Sequence, residues 1–156
     1  MTTLAHAALF AENAYHAHKT QDGEGAYLDS NALPLPTGWE LLKVEDRTER
    51  QGDYAALFIN RETKELFIAG RGTAQWSDVK TYPGILVGKP PQDRITSALD
   101  ILNEARRDYP DYRIDAGGHS LGGLIWAKAS AQDESYKDYR QANPVAVTAF
   151  CAPNTP

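Results

Sequence analysis

The sequence is poor in cysteine, in long apolar runs and in basic clusters, and each shortage excludes a class of protein. Its one cysteine, Cys151, allows neither an internal disulfide nor a thiolate zinc site. The longest apolar stretches fall well short of the roughly 18 residues that a membrane-spanning helix needs. The 16 basic residues are outnumbered by 21 acidic ones and form no cluster that would bind phosphates. We therefore expect no metal, no transmembrane segment and no nucleic-acid partner.

What remains is the composition of one globular domain. Of the 156 residues, 42% are apolar and 24% are charged, which predicts a single domain over residues 1–156. No Lys or Arg precedes Lys19, so a secretory signal peptide is not expected. By default we expect a cytoplasmic protein, while secretion without a signal peptide stays open.

Several stretches predict regular structure. Small apolar residues recur at helical spacing over residues 3–18, and residues 21–38 have the turn-rich composition of a surface connection. Residues 54–59 and 66–69 predict a β-hairpin, and a helix is expected from Asp93 to the stop at Tyr109-Pro110-Asp111. Residues 113–116 predict a short strand, and the apolar run over residues 144–151 predicts a strand buried on both faces of a parallel sheet.

A glycine-rich turn follows the strand at residues 113–116. Gly118-His119-Ser120-Leu121-Gly122 matches the G-x-S-x-G pattern, with a strand predicted before it and a helix after it. Small neighbours allow a sharp turn that lifts the serine hydroxyl above the sheet, and the helix N-terminus adds partial positive charge. A P-loop is excluded because no Gly-Lys-Ser/Thr ends the motif. The plain alternative is a turn that only connects a strand to a helix.

A second segment, Phe67-Ile68-Ala69-Gly70-Arg71-Gly72-Thr73, ends the predicted hairpin. Together with Gly-His-Ser-Leu-Gly-Gly it makes the chain resemble the class 3, or fungal-type, lipase family, in particular the N-terminal part of its bacterial lipase-like members. The resemblance implies an α/β fold, namely an α/β-hydrolase-like three-layer sandwich that is incomplete at its C-terminal edge. It also implies a hydrolase of carboxylic esters, with a small-molecule or lipid ester as substrate and no cofactor.

The resemblance also assigns roles to residues. It makes Ser120 the nucleophile and places the oxyanion hole at Thr73 and at the backbone N–H of Leu121. The implied supporting residues are Gly118, His119, Gly122, Arg71 and Gly72, and the implied lid contains Trp76, Ile85 and Leu86. Two plainer alternatives stay open: the Thr73 hydroxyl satisfies a local turn, and the lid segment is an ordinary helix and loop. The family's His-x-Gly-Phe segment is absent, which leaves lid anchoring and substrate size open.

The other half of a catalytic triad is missing from the sequence. The family places its acid and then its histidine after the serine, but the four histidines, His6, His16, His18 and His119, all precede Ser120. The acidic residues that follow the serine, Asp133, Glu134 and Asp138, are expected to form a solvated face.

Three explanations follow from the missing histidine. In the favoured one, the acid and base lie beyond Pro156 or on another chain. In the second, the chain is an inactive binding or interaction module, and in the third a base comes from His16 or His18. Under the first two we expect self-association or a partner chain that completes the sheet.

Overall fold

The computed structural model describes residues 2–48, 54–71, 92–119 and 147–150. The elements in these ranges are helix α1 (Leu4–Asn13), a 3₁₀ turn (Ala14–His16), strands β1 (Ala17–Lys19), β2 (Ala26–Leu28), β3 (Trp39–Asp46), β4 (Tyr54–Asn60) and β5 (Glu65–Gly70), helix α2 (Gln92–Asp108), and strands β6 (Arg113–His119) and β7 (Val147–Phe150).

Five of these strands form one mixed sheet in the order β3-β4-β5-β6-β7, and β1 pairs with β2 in a separate hairpin. The pairs β3–β4 and β4–β5 are antiparallel, whereas the pairs β5–β6 and β6–β7 are parallel. Parallel neighbours need a crossover connection, and α2 lies in the one between β5 and β6. The carboxyl ends of β5, β6 and β7 therefore meet at one edge of the sheet, which we call the carboxyl edge.

The tight connection between β4 and β5 follows from its sequence. The Asn60 side chain accepts hydrogen bonds from the backbone N–H groups of Glu62 and Thr63, both at 3.1 Å. Lys64 closes the turn with a positive φ of 54°. An asparagine that bonds its own backbone two residues on is a frequent turn former. The hairpin predicted from the sequence is confirmed, with strands one residue longer at the turn.

Within the described ranges, one helix packs on each face of the sheet. Side chains alternate between the two faces along each strand. Leu66 and Ile68 of β5 face α2, whereas Phe67 and Ala69 face α1. We call these the α2 face and the α1 face. The buried residues of the α2 face are Ala55, Leu57, Ile59, Leu66, Ile68, Ile95, Ala98, Ile101, Leu102, Ala105, Ile114 and Ala116. Those of the α1 face are Ala7, Phe10, Ala14, Ala17, Val44, Tyr54, Ala56, Phe58, Phe67 and Ala69. The predicted α/β fold with three layers is confirmed.

The N-terminal helix is shorter than predicted. It ends at Asn13 rather than near residue 18, and residues 17–19 form a strand instead. The Asn13 side chain donates to the carbonyl oxygen of Leu33 and accepts from its N–H, both at 2.8 Å. The carbonyl of His16 also accepts from the N–H of Asp29 at 2.8 Å. These long-range bonds replace the helical ones that the small-residue stripe favours.

Other boundaries also differ from the prediction. The turn-rich stretch over residues 21–38 contains β2, and β3 follows it where no strand was predicted. Strand β6 continues through Gly117 and Gly118 to His119, three residues further than the predicted strand. The predicted helix ending before Tyr109 is confirmed as α2. The predicted strand over residues 144–151 is described as β7, parallel to β6.

Candidate active site

The two segments that carry the sequence motifs leave neighbouring strands at the same edge. In the parallel pairing of β5 with β6, Ala69 lies beside Gly117 and Gly70 beside Gly118. Neighbouring strands are about 4.8 Å apart. The chain thus leaves β5 at Arg71 about one strand spacing from where it leaves β6 at His119, the residue that precedes Ser120 in the sequence.

Most of the predicted site residues follow these strand ends directly. The structure describes Arg71, the buried Gly118 and the backbone of His119. Outside the described residues lie Gly72, Thr73, Trp76, Ile85, Leu86, Ser120, Leu121 and Gly122, and also Cys151 and the acidic residues Asp133, Glu134 and Asp138. The roles assigned to them stay predictions.

Glycines occupy the strand positions next to this edge. Gly70 ends β5, and Gly117 and Gly118 are the last residues of β6 before His119; all three are buried. Because glycine has no Cβ, no side chain projects from these three positions on either face of the sheet. The edge therefore allows close approach of another backbone or of a ligand.

Arg71 is held at the edge by its backbone and by its side chain. Its N–H donates to the carbonyl oxygen of Tyr54 at 2.8 Å, which extends the pairing of β4 and β5 by one residue. Its guanidinium carbon lies 4.0 Å from the centroid of the Tyr54 ring. A cation at this distance from an aromatic face is worth about 0.5–2 kcal/mol, and more when water is excluded. These two contacts of Arg71 go to the same residue, Tyr54.

The sequence pattern placed Tyr54 in a strand but did not indicate that it contacts a site residue. Only 8% of the residue is exposed, and its hydroxyl donates to the carbonyl oxygen of Ala17 at 2.6 Å. Burial raises the pKa of Tyr54 above its ordinary value, so the phenol stays a neutral donor. Its partners lie 17 and 37 residues away in sequence, beyond the reach of any local pattern. The weak signal was an aromatic residue at the first position of a predicted strand.

Two of the histidines belong to a cluster on the β1–β2 hairpin. His18 Nε2 lies 2.8 Å from Asp29 Oδ2, and His16 Nδ1 lies 3.3 Å from Asp29 Oδ1. The hydrogen bond from His18 is the main cause that holds the pKa of Asp29 below its usual value. His16 also lies 3.7 Å from Glu12. The carboxylate thus joins the residues on both sides of Ala17, the partner of Tyr54.

His6 lies apart from that cluster, with its ring 6.4 Å from the ring of Phe10. Among the described residues, no group of three or more His, Cys, Asp or Glu side chains is arranged to hold a metal ion. Within the same ranges, none of the helices is long and apolar enough to cross a bilayer.

The sequence is similar to few known proteins, and only over part of their length. No protein-family model matches the sequence. An uncharacterized protein of Rickettsia prowazekii is 34% identical over an alignment of 128 residues, and the match covers 70% of this chain and 33% of that protein. The chain thus spans about a third of the length of this relative.

Among solved structures, similar ones are fungal lipases. The Lip2 lipase of Yarrowia lipolytica is 17% identical with a TM-score of 0.49, and the match covers 81% of this chain and 51% of that one. A triacylglycerol lipase of Penicillium expansum is 21% identical with a TM-score of 0.49, covering 85% and 55%. The chain spans about half the length of each. At this level of identity neither likeness assigns a reaction to this chain.

Proposed function

We propose that this chain supplies the nucleophile and the oxyanion-binding part of a serine hydrolase of the lipase or esterase type. Its substrates are carboxylic esters, acyl lipids among them, and its nucleophile is Ser120. The observation that supports the proposal most is the register of β5 with β6, in which Gly70 lies beside Gly118. A nucleophile and an oxyanion donor must both reach one carbonyl group. Segments that start from adjacent strand ends meet that requirement.

The proposed reaction begins with attack of Ser120 Oγ on the ester carbonyl carbon. The carbonyl oxygen becomes an oxyanion, which accepts hydrogen bonds from Thr73 and from the backbone N–H of Leu121. Collapse of this intermediate expels the alcohol, which takes up a proton, and leaves an acyl group on Ser120. Water then releases the acid and restores the serine. Loss of one oxyanion donor in such sites lowers the rate about 100- to 1,000-fold.

A general base is still needed, because a serine hydroxyl is a weak nucleophile at neutral pH. No histidine occurs in residues 121–156, where the order of an α/β-hydrolase triad places the base. We therefore assign the triad acid and base to polypeptide outside these 156 residues, in the same protein or in a partner chain. The same polypeptide would continue the sheet next to β7, the last strand of the described sheet.

The segment between β5 and α2 suits an apolar acyl group. We assign the apolar residues Trp76, Ile85 and Leu86 to a lid over the proposed site. Apolar side chains at this position would cover an acyl chain and exclude water from the reacting carbonyl.

A fluorophosphonate probe tests the proposal, since it reacts with activated serines. The protein expressed from its complete reading frame should be labelled on Ser120, as located by mass spectrometry. Ser120→Ala should abolish the label, whereas Ser130→Ala, the same change ten residues later, should keep it. A folded protein that takes no label would contradict the proposal. Retention of an acyl ligand without labelling, unchanged in Ser120→Ala, would favour a binding module instead.

A further inference from the structure

Tyr54 makes three contacts with two other parts of the chain near the carboxyl edge. Its hydroxyl donates to Ala17 of β1, its carbonyl oxygen accepts from the Arg71 N–H, and its ring lies under the Arg71 guanidinium. Arg71 is also the residue directly before Gly72 and Thr73.

These contacts constrain the direction in which the chain leaves β5. The hydrogen bond to the Tyr54 carbonyl fixes the backbone of Arg71 in the sheet, one residue beyond the last pair of β5 with β4. The contact with the ring face restrains the long Arg71 side chain, which would otherwise populate many rotamers. The backbone and the side chain of Arg71 are thus both restrained where the chain leaves β5.

The hydroxyl in turn restrains the ring. Tyr54 is buried on the α1 face, and its 2.6 Å bond to the Ala17 carbonyl ties the tip of the side chain to β1. Strand β1 pairs with β2, and Ala17 itself is buried. The surface under the guanidinium is therefore anchored at both ends, by β4 at the backbone and by β1 at the hydroxyl.

We propose that Tyr54 is a positioning residue of the active site, which acts through Arg71, the strand-end residue two positions before the proposed oxyanion donor Thr73. The inference rests on the proposed function, in which Thr73 is an oxyanion donor. Tyr54 itself touches no reacting atom. Its effect is on the placement of that donor, where a shift of about 1 Å can cost on the order of 100-fold in rate.

Substitutions at Tyr54 separate the ring from the hydroxyl. In the protein expressed from its complete reading frame, Tyr54→Leu removes the surface under Arg71. We expect kcat for p-nitrophenyl butyrate to fall about 10- to 100-fold with KM nearly unchanged, since the donor acts on the transition state. Tyr54→Phe keeps the ring and should restore most of the rate. Tyr109→Leu is the matched control: Tyr109 packs against Tyr112 at 5.1 Å, before β6 begins, and its loss should leave kcat unchanged.

If Tyr54 acts through Arg71, substitution of Arg71 should have a similar effect. Arg71→Met should lower kcat to a similar extent, and Tyr54→Leu combined with Arg71→Met should be no slower than the slower single variant, because both remove the same contact. Losses that multiply would overturn the proposal, and so would a Tyr54→Leu variant with the wild-type kcat. If Tyr54→Leu does not fold, Arg71→Met decides the question, since it removes the guanidinium from the ring face: a wild-type kcat in this variant overturns the proposal.

The proposed function and this inference fail in distinguishable ways. A wild-type protein that neither turns over the ester nor takes the fluorophosphonate label refutes the serine hydrolase, whatever the variants do. Thermal unfolding of wild type, the two single variants and the double variant tests the positioning contact without any activity. Non-additive shifts in Tm support it, and additive shifts overturn it.

Discussion

The two faces of the sheet are built from different kinds of side chain. The α2 face is packed almost wholly with aliphatic residues, and α2 contributes five buried apolar side chains along its length. The α1 face is aromatic and partly polar: Phe10, Phe58 and Phe67 meet there, and Asn13 is buried close by. Only the α1 face includes Tyr54, the residue that contacts Arg71.

The two faces therefore make different contributions: the α2 face stabilises the fold, and the α1 face also positions residues near the carboxyl edge. Aliphatic packing is non-directional and tolerates exchange of one side chain for another of similar volume. Aromatic rings and buried hydrogen bonds demand particular geometry. The α1 face thus combines a less uniform core with the contacts that reach the carboxyl edge. We expect it to be the face on which single substitutions have the most local consequences.

Phe10→Ala should have the largest effect. Phe10 is fully buried and lies 4.9 Å from the ring of Phe58 and 5.1 Å from that of Phe67, and α1 buries no other large apolar side chain completely. We expect the free energy of unfolding, measured in urea, to fall by about 3–5 kcal/mol. Hydrogen exchange should speed up in α1 more than in α2, because the helix loses its one large anchor.

Leu102→Ala is the counterpart on the α2 face. It should lower the free energy of unfolding by about 2–5 kcal/mol. Because Ile95 and Ile101 still anchor α2, hydrogen exchange should speed up to a similar extent throughout the molecule rather than mainly in α2. If Phe10→Ala left α1 as protected as α2, the contrast between the two faces would be wrong.

Asn13→Ala should have an intermediate effect. Its amide makes two hydrogen bonds of 2.8 Å to the backbone of Leu33, and removal leaves both backbone groups without their partner. We expect a loss of about 1–3 kcal/mol in urea unfolding. As a control, Asn31→Ala changes an exposed residue two positions before Leu33 and should alter the free energy of unfolding by less than about 0.5 kcal/mol. Equal effects of the two substitutions would show that the buried amide contributes nothing specific.

The same contrast explains what the sequence could predict. The helical spacing of Ile95, Ala98 and Leu102 correctly predicted α2, because the apolar stripe is the whole reason for its packing. The alternation of β3 is irregular, with a register shift between Leu41 and Lys43 and mostly half-buried residues, so no strand was predicted there. Its burial depends on neighbours and not on a local pattern.

Distance along the chain limited the rest. The helix was predicted to continue past Asn13, since nothing near it in the sequence reveals the bonds to Leu33, 20 residues away. For the candidate site, the motifs predicted which segments belong together, and the register of β5 with β6 agrees with that grouping. The role of Tyr54 depends on Ala17 and Arg71, and only the folded chain brings these three together.

The smallest expected effect concerns pH and the β1–β2 hairpin, whose apolar residues pack on the α1 face. The hydrogen bond from His18 lowers the pKa of Asp29 in the folded chain from the ordinary 3.8. A carboxyl group with a lowered folded pKa contributes stability above its unfolded pKa, and this contribution is lost as the pH falls below about 4. Between pH 5 and pH 2, wild type should therefore lose more hairpin protection in hydrogen exchange than Asp29→Asn.

Two other aspartates serve as controls for this measurement. Asp22 also has a lowered pKa, through its bond with Thr20, but it is present in both proteins and cancels in the comparison. Asp111, whose pKa is lowered by Lys64, lies just before β6, so Asp111→Asn should leave the acid response of the hairpin unchanged. If Asp29→Asn lost hairpin protection as steeply as wild type, the carboxylate between His16 and His18 would not be what holds β1 in place. The anchor of the Tyr54 hydroxyl would then have to come from the packing of Ala17 alone.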